Sequence, residues 1–128
     1  MPAAPDGPRV TEVARFSSDV VAAAGFYERL LQVSPVSAGP GHTEFQVGDV
    51  KLLVHEAYEP DPSDPLDPGS RDHVAFAVED LEAACARMRE AGVEVVGPQD
   101  YDWGRSAYLT DPDGRMVELH EAPGPPEA

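Results

Sequence analysis

Among the side chains of this 128-residue chain that can bind an ion or carry a proton, a few stand at matching places of two similar segments. Glu12 lies in Thr11-Glu12-Val13-Ala14-Arg15-Phe16-Ser17-Ser18-Asp19. It occupies the place of His73 in Asp72-His73-Val74-Ala75-Phe76-Ala77-Val78-Glu79-Asp80. A second echo sets Leu52-Leu53-Val54-His55-Glu56-Ala57 beside Val117-Glu118-Leu119-His120-Glu121-Ala122, so that Leu53 matches Glu118 and His55 matches His120. Carboxylate and imidazole are the side chains of proton transfer and of oxygen or nitrogen ligation, and only histidine titrates near neutral pH unperturbed. Ionisable groups at corresponding points of a repeat are how a site at a pseudo-symmetric interface would be encoded.

The elements that must position these groups follow from the local pattern. A strand is expected from about Arg9 to Ser17, then a helix from Val20 to Leu31 with Val21, Ala24, Phe26, Tyr27, Leu30 and Leu31 as its apolar stripe. Val33–Ser37 reads as a short strand, and His42–Val47 with Val50–Ala57 as a hairpin around Gly48-Asp49. The second copy gives strand Asp72–Val78, helix Leu81–Ala91 stopped at Gly92, and strand Val93–Val96. A loop Gly97–Trp103, strand Arg105–Thr110, the turn Asp111-Pro112-Asp113-Gly114 and strand Arg115–Glu121 complete it. Asp19 and Asp80 stand at the two helix-capping positions. Alternation sets Val74, Phe76 and Val78 against His73, Ala75 and Ala77, and Val117 and Leu119 against Met116, Glu118 and His120. The apolar sets are expected on the helices, leaving His73 and Glu118 on a polar concave face.

The expected architecture is α+β: two tandem βαβββ modules forming a curved, partly open mixed β-sheet groove. It is a single domain over 9–121, with module one at 9–57, a Pro-rich linker at 58–71 and module two at 72–121. Residues 1–8 and 122–128 read as disordered tails. Nine Lys and Arg face twenty-four Asp and Glu, a formal charge of −15 that argues against nucleic acid and anionic membrane surfaces. The N-terminus lacks the charged and apolar regions of a signal peptide and no apolar run spans a bilayer, so a cytoplasmic protein is expected. Cys85 is the single cysteine, which excludes an intramolecular disulfide, and it reads as a small packing residue on a helix.

The whole region from about Arg9 to Glu121 resembles the vicinal oxygen chelate superfamily of glyoxalases, bleomycin-resistance proteins and extradiol dioxygenases. The match rests on Asp72-His73-Val74-Ala75-Phe76-Ala77-Val78-Glu79-Asp80-Leu81, Trp103-Gly104-Arg105, Asp111-Pro112-Asp113-Gly114, Val117-Glu118-Leu119 and Phe26-Tyr27. The resemblance implies a divalent metal ion (Zn, Ni, Mn or Fe) held by Glu12, His73 and Glu118. Glu12 stands where family members usually carry His or Gln, and a carboxylate there shifts preference toward harder ions. Two alignments disagree on a fourth ligand: family spacing gives His55, whereas the internal repeat gives Leu53 and so a three-ligand site. Glu118 or Glu12 would move a proton as the catalytic carboxylate, and His55, His120, Tyr101, Trp103 and Arg105 are expected near the substrate.

Read as ordinary strand residues, the same His and Glu are solvated side chains of a polar face, and Trp103 closes the edge of the core. Two functions stay open on these residues. One is a metal-dependent lyase, isomerase or dioxygenase acting on a small oxygen-chelating substrate. The other is a metal-free protein of the bleomycin-resistance type that sequesters a cationic aromatic ligand in a dimer groove. A homodimer is expected in both.

Overall fold

The computed structural model describes residues 7–65, 67, 69–102 and 104–121. They form an α+β structure with one open eight-stranded mixed sheet and two helices. The elements are β1 (Arg9–Ser17), α1 (Val20–Leu31), β2 (Ser37–Gly39), β3 (His42–Val47), β4 (Val50–Glu56), β5 (His73–Val78), α2 (Leu81–Glu90), β6 (Val95–Tyr101), β7 (Gly104–Thr110) and β8 (Met116–Glu121). The strand order is β2-β3-β4-β1-β5-β8-β7-β6. Internal contacts divide the chain into two units, 11–74 and 1–10 with 75–128.

In the unit of residues 11–74, β1 and β4 run parallel, which requires the crossover that α1, β2 and β3 supply. The register pairs Glu12 with Lys51, Ala14 with Leu53 and Phe16 with His55. Asp19 accepts a hydrogen bond from the Ala22 amide at 3.0 Å and starts α1, and Gln32 ends it in the left-handed region. Helix α1 packs on β3 and β4, where Thr43, Phe45 and Val54 are buried. Its half-buried stripe is Val20, Ala24, Tyr27 and Leu31, the spacing that holds the 3.6-residue period. Val21, Phe26 and Leu30, which the sequence reading placed in that stripe, fall off the period and are exposed. The short strand also sits later than expected, at Ser37–Gly39, because the chain stays irregular after Gln32 until Val36 bonds to Glu44.

In the other unit, Asp80 caps α2 by accepting from the Ala83 amide at 3.0 Å, and Gly92 (φ 84°) ends the turn beyond it. The helix buries Leu81, Ala84 and Cys85, and Leu81 and Cys85 form a core with Ala107 against Val78, Val95 and Leu119. Strand β6 runs on through the segment read as a loop. A bulge between Val96 and Gln99 takes up the extra residues, with Gly97 at φ 100°. A Cβ at Gly97 would lie 3.0 Å from the Ser106 carbonyl, so the bulge requires glycine for close approach as well as for its dihedral. The turn at Asp111 matches expectation: its carboxylate accepts from the amides of Asp113 and Arg115, both at 2.9 Å. Those bonds hold the Asp111 pKa below the usual carboxylate range, the Arg115 amide contributing most.

Candidate metal centre

His73 opens β5, and its ring is oriented from within its own segment. The Nδ1 atom lies 2.7 Å from the carbonyl oxygen of Arg71. A carbonyl only accepts, so Nδ1 carries the proton and the ring lone pair sits on Nε2. That is the tautomer in which metal-bound histidines are commonly held, with the second nitrogen donating to a carbonyl or carboxylate. Ring contacts add to the constraint. The Phe16 ring lies 6.1 Å from that of His73, 5.5 Å from His55 and 6.1 Å from Tyr58.

Glu118 lies on β8 and is only 4 % exposed, which alternation alone did not reveal. The hydroxyl of Ser106, itself fully buried on β7, donates to Glu118 Oε2 at 2.9 Å. A carboxylate taken out of water costs several kcal/mol unless donors or a cation compensate it, on the order of the penalties known for buried ions. Ser106 was not among the residues singled out from the sequence. Its signal was the strand parity it shares with Tyr108, which pairs with Glu118 across the ladder.

Glu12 and His73 belong to the unit of residues 11–74 and Glu118 to the other, and each offers one atom of a type that could hold a metal ion. Two carboxylates and an imidazole make a donor set that suits a divalent first-row ion, and three protein ligands would leave coordination positions for substrate. Neither Leu53 nor His55 joins this group. His55 pairs with Phe16, whereas Glu12 pairs with Lys51 two steps earlier. The His55 ring packs instead on Phe16 and, at 6.2 Å, on Tyr58.

The remaining expected contact residues divide. His120 shares the Glu118 side of β8 and pairs with Ser106. Tyr101, at the end of β6, meets Tyr108 edge-on at 6.1 Å. Arg105 does not sit beside Glu118. It shares the parity of Ala107 on the α2 side of β7, ion-paired to Glu82 at 2.5 Å, Asp100 at 3.3 Å and Glu121 at 3.9 Å. The Glu82 hydrogen bond is the largest cause raising its pKa further. Trp103 lies outside the described residues.

Residues 9–119 match the family model described as the Glyoxalase/Bleomycin resistance protein/Dioxygenase superfamily. The chain belongs to this superfamily. Over 108 residues it is 30 % identical to the metallothiol transferase FosB of Shouchella clausii, covering 80 % of this chain and 73 % of that protein. Over 56 residues, 44 % of this chain, it is 43 % identical to a lactoylglutathione lyase of Pseudomonas aeruginosa, and that stretch is 32 % of the lyase's length. Among solved structures, a superfamily member from Vibrio splendidus superposes with a TM-score of 0.68 at 15 % identity, covering 91 % of this chain and all (100 %) of that one. Such a likeness confirms the superfamily fold.

Proposed function

We propose that the chain is a divalent-metal-dependent enzyme of the glyoxalase superfamily, of lyase, isomerase or dioxygenase type, acting on a small oxygen-chelating substrate. The observation that carries this reading is the donor set of Glu12, His73 and Glu118, two carboxylates and an imidazole that could hold a metal ion. When bound, a Zn, Ni, Mn or Fe ion would supply Lewis acidity toward two substrate oxygens and stabilise negative charge developing there. The protein's own part is positional. Ser106 holds one oxygen of Glu118, and the Arg71 carbonyl holds the His73 ring. Glu12 or Glu118 moves the proton between substrate atoms, since a carboxylate within hydrogen-bond reach of the reacting carbon or oxygen serves as general base. His55, His120 and Tyr101 contact substrate.

Two relatives, a metallothiol transferase and a lactoylglutathione lyase, favour the metal reading over the sequestering one. A homodimer belongs to the proposal, supported by the exposed apolar side chains Val21, Phe26 and Leu30 of α1. A cytoplasmic location belongs to it as well, in keeping with the lone thiol of Cys85. Among the described residues, no helix is long and apolar enough to cross a membrane.

Elemental analysis of the purified protein tests the proposal, with His73→Ala and Glu118→Gln alongside. Stoichiometric metal in the wild type that disappears in both variants is expected. A metal-free wild type that still binds a cationic aromatic compound, with His73→Ala binding it equally, would establish sequestration instead.

A further inference from the structure

Asp72 immediately precedes His73, and its carboxylate makes two bonds to β1. Its Oδ1 accepts the backbone N–H of Phe16 at 2.8 Å, and its Oδ2 accepts from Arg15 Nη1 at 3.0 Å. Phe16 is on β1, the strand that carries Glu12, and its ring packs against the His73 ring. On the other side of Asp72, the Arg71 carbonyl accepts a hydrogen bond from His73 Nδ1–H. Three consecutive residues thus present a carbonyl, a carboxylate and an imidazole in a fixed relation.

We propose that Asp72 is a positioning residue for His73: its hydrogen bond to the Phe16 amide fixes the 71–72 peptide plane, and that plane fixes the tautomer and direction of the His73 ring. The two bonds of Asp72 differ in what they contribute. The ion pair with Arg15 joins side chains that are 51 % and 50 % exposed, and pairs so exposed to solvent contribute little. The amide of Phe16, by contrast, is part of the backbone of β1, so a bond to it transmits strand position directly. Removing the carboxylate leaves the Arg71 carbonyl free to rotate, and the His73 ring then populates both neutral tautomers.

The proposal rests on the metal reading only for the second of its two readouts. The first is the tautomer of His73 in metal-free protein at alkaline pH, where the imidazole is neutral, read from imidazole nitrogen-15 shifts and long-range couplings. Wild type is expected as the Nδ1–H form. Asp72→Asn, whose amide oxygen still accepts from Phe16, is expected to keep it, as is Arg15→Met. Asp72→Ala and Asp72→Ser are expected to show a tautomer mixture. The serine variant provides the same loss should the alanine variant fail to fold.

The second readout is the affinity for Mn²⁺ or Ni²⁺ by titration. The Ala and Ser variants are expected to bind about 10–100-fold more weakly, the range for loss of an outer-shell partner, and the Asn and Met variants within about 3-fold of wild type. An unchanged tautomer in a folded Ala or Ser variant overturns the proposal. So does an Arg15→Met variant that weakens metal as much as Asp72→Ala, since that assigns the effect to charge. If wild type binds neither ion, the metal reading fails while the tautomer comparison still decides the role of Asp72.

Discussion

Replacing Ser106 by Ala removes one oxygen atom from a fully buried site and with it the donor to Glu118 Oε2 at 2.9 Å. A hydrogen bond to a charged acceptor contributes about 1.5–3 kcal/mol. For a chain of this size, 1 kcal/mol moves the melting temperature by about 4 °C, so a drop of about 6–12 °C is expected for the chelator-treated protein at pH 7. Calorimetry or far-ultraviolet dichroism reads this directly. Ser63→Ala provides the contrast, because its hydroxyl donates at 2.7 Å to Asp61, an exposed carboxylate. There water replaces the lost donor, and the melting temperature is expected within about 2 °C of wild type, as for most surface substitutions. The Ser106→Ala variant should also bind Mn²⁺ about 10–100-fold more weakly, the usual effect of removing a group that orients a ligand. Two variants that melt together, or a Ser106→Ala protein with wild-type metal affinity, would show that burial of Glu118 does not depend on this hydroxyl.

Burial, partly offset by Arg89, raises the Cys85 thiol pKa, so native protein at pH 8 should resist alkylation that proceeds at once in denaturant; fast native labelling, read by mass spectrometry, would contradict the packing. Asp61 and Asp67 are both depressed below the usual carboxylate range, Asp61 chiefly by the Ser63 hydroxyl and Asp67 chiefly by the Asp61 amide. A depressed folded-state pKa contributes stability above the unfolded value near 3.9 and loses it as the pH falls through the folded one. The amides of Asp61, Ser63 and Gly69 should therefore keep their exchange protection at pH 5 and lose it only below about pH 4. Asp19→Ala and Asp80→Ala should each cost about 1 kcal/mol, the usual effect of losing a helix N-cap, measured by urea unfolding with unchanged slope.

What could be read from the sequence depended on how local each cause was. Asp19 and Asp80 marked both helix starts because a cap is satisfied by amides three residues away. Strands β1, β3, β4, β5 and β8 were legible from alternation and turn residues. Strand β6 was not, since Gly97-Pro98 reads as a break and only pairing with β7 shows it to be a bulge. The α1 stripe was drawn too wide because apolar type was weighed above helical phase at Val21, Phe26 and Leu30. Parity gave the side of the strand on which Glu118 lies, whereas its burial depends on what packs above it. The ion pairs of Arg105 with Glu82, Asp100 and Glu121 and the bonds of Asp72 to Arg15 and Phe16 carried no signal, because they depend on which elements the fold brings together.

The connector read as a solvated linker closes on itself. The Ser70 hydroxyl donates to the Tyr58 carbonyl at 2.8 Å, and the Tyr58 hydroxyl donates to the Gly69 carbonyl at 2.9 Å. Residues 58–70 thus leave and return at one point, the defining trait of an Ω-loop. Asp67 adds to the closure, accepting from the Tyr58 hydroxyl at 3.3 Å and from the amides of Asp61 and Gly69 at 2.8 and 2.9 Å. Loop-closure entropy rises slowly with length, by about 0.6 kcal/mol for each doubling. Residues could be added or removed at the tip, between Asp61 and Asp67, without altering where Asp72 and His73 begin the next strand.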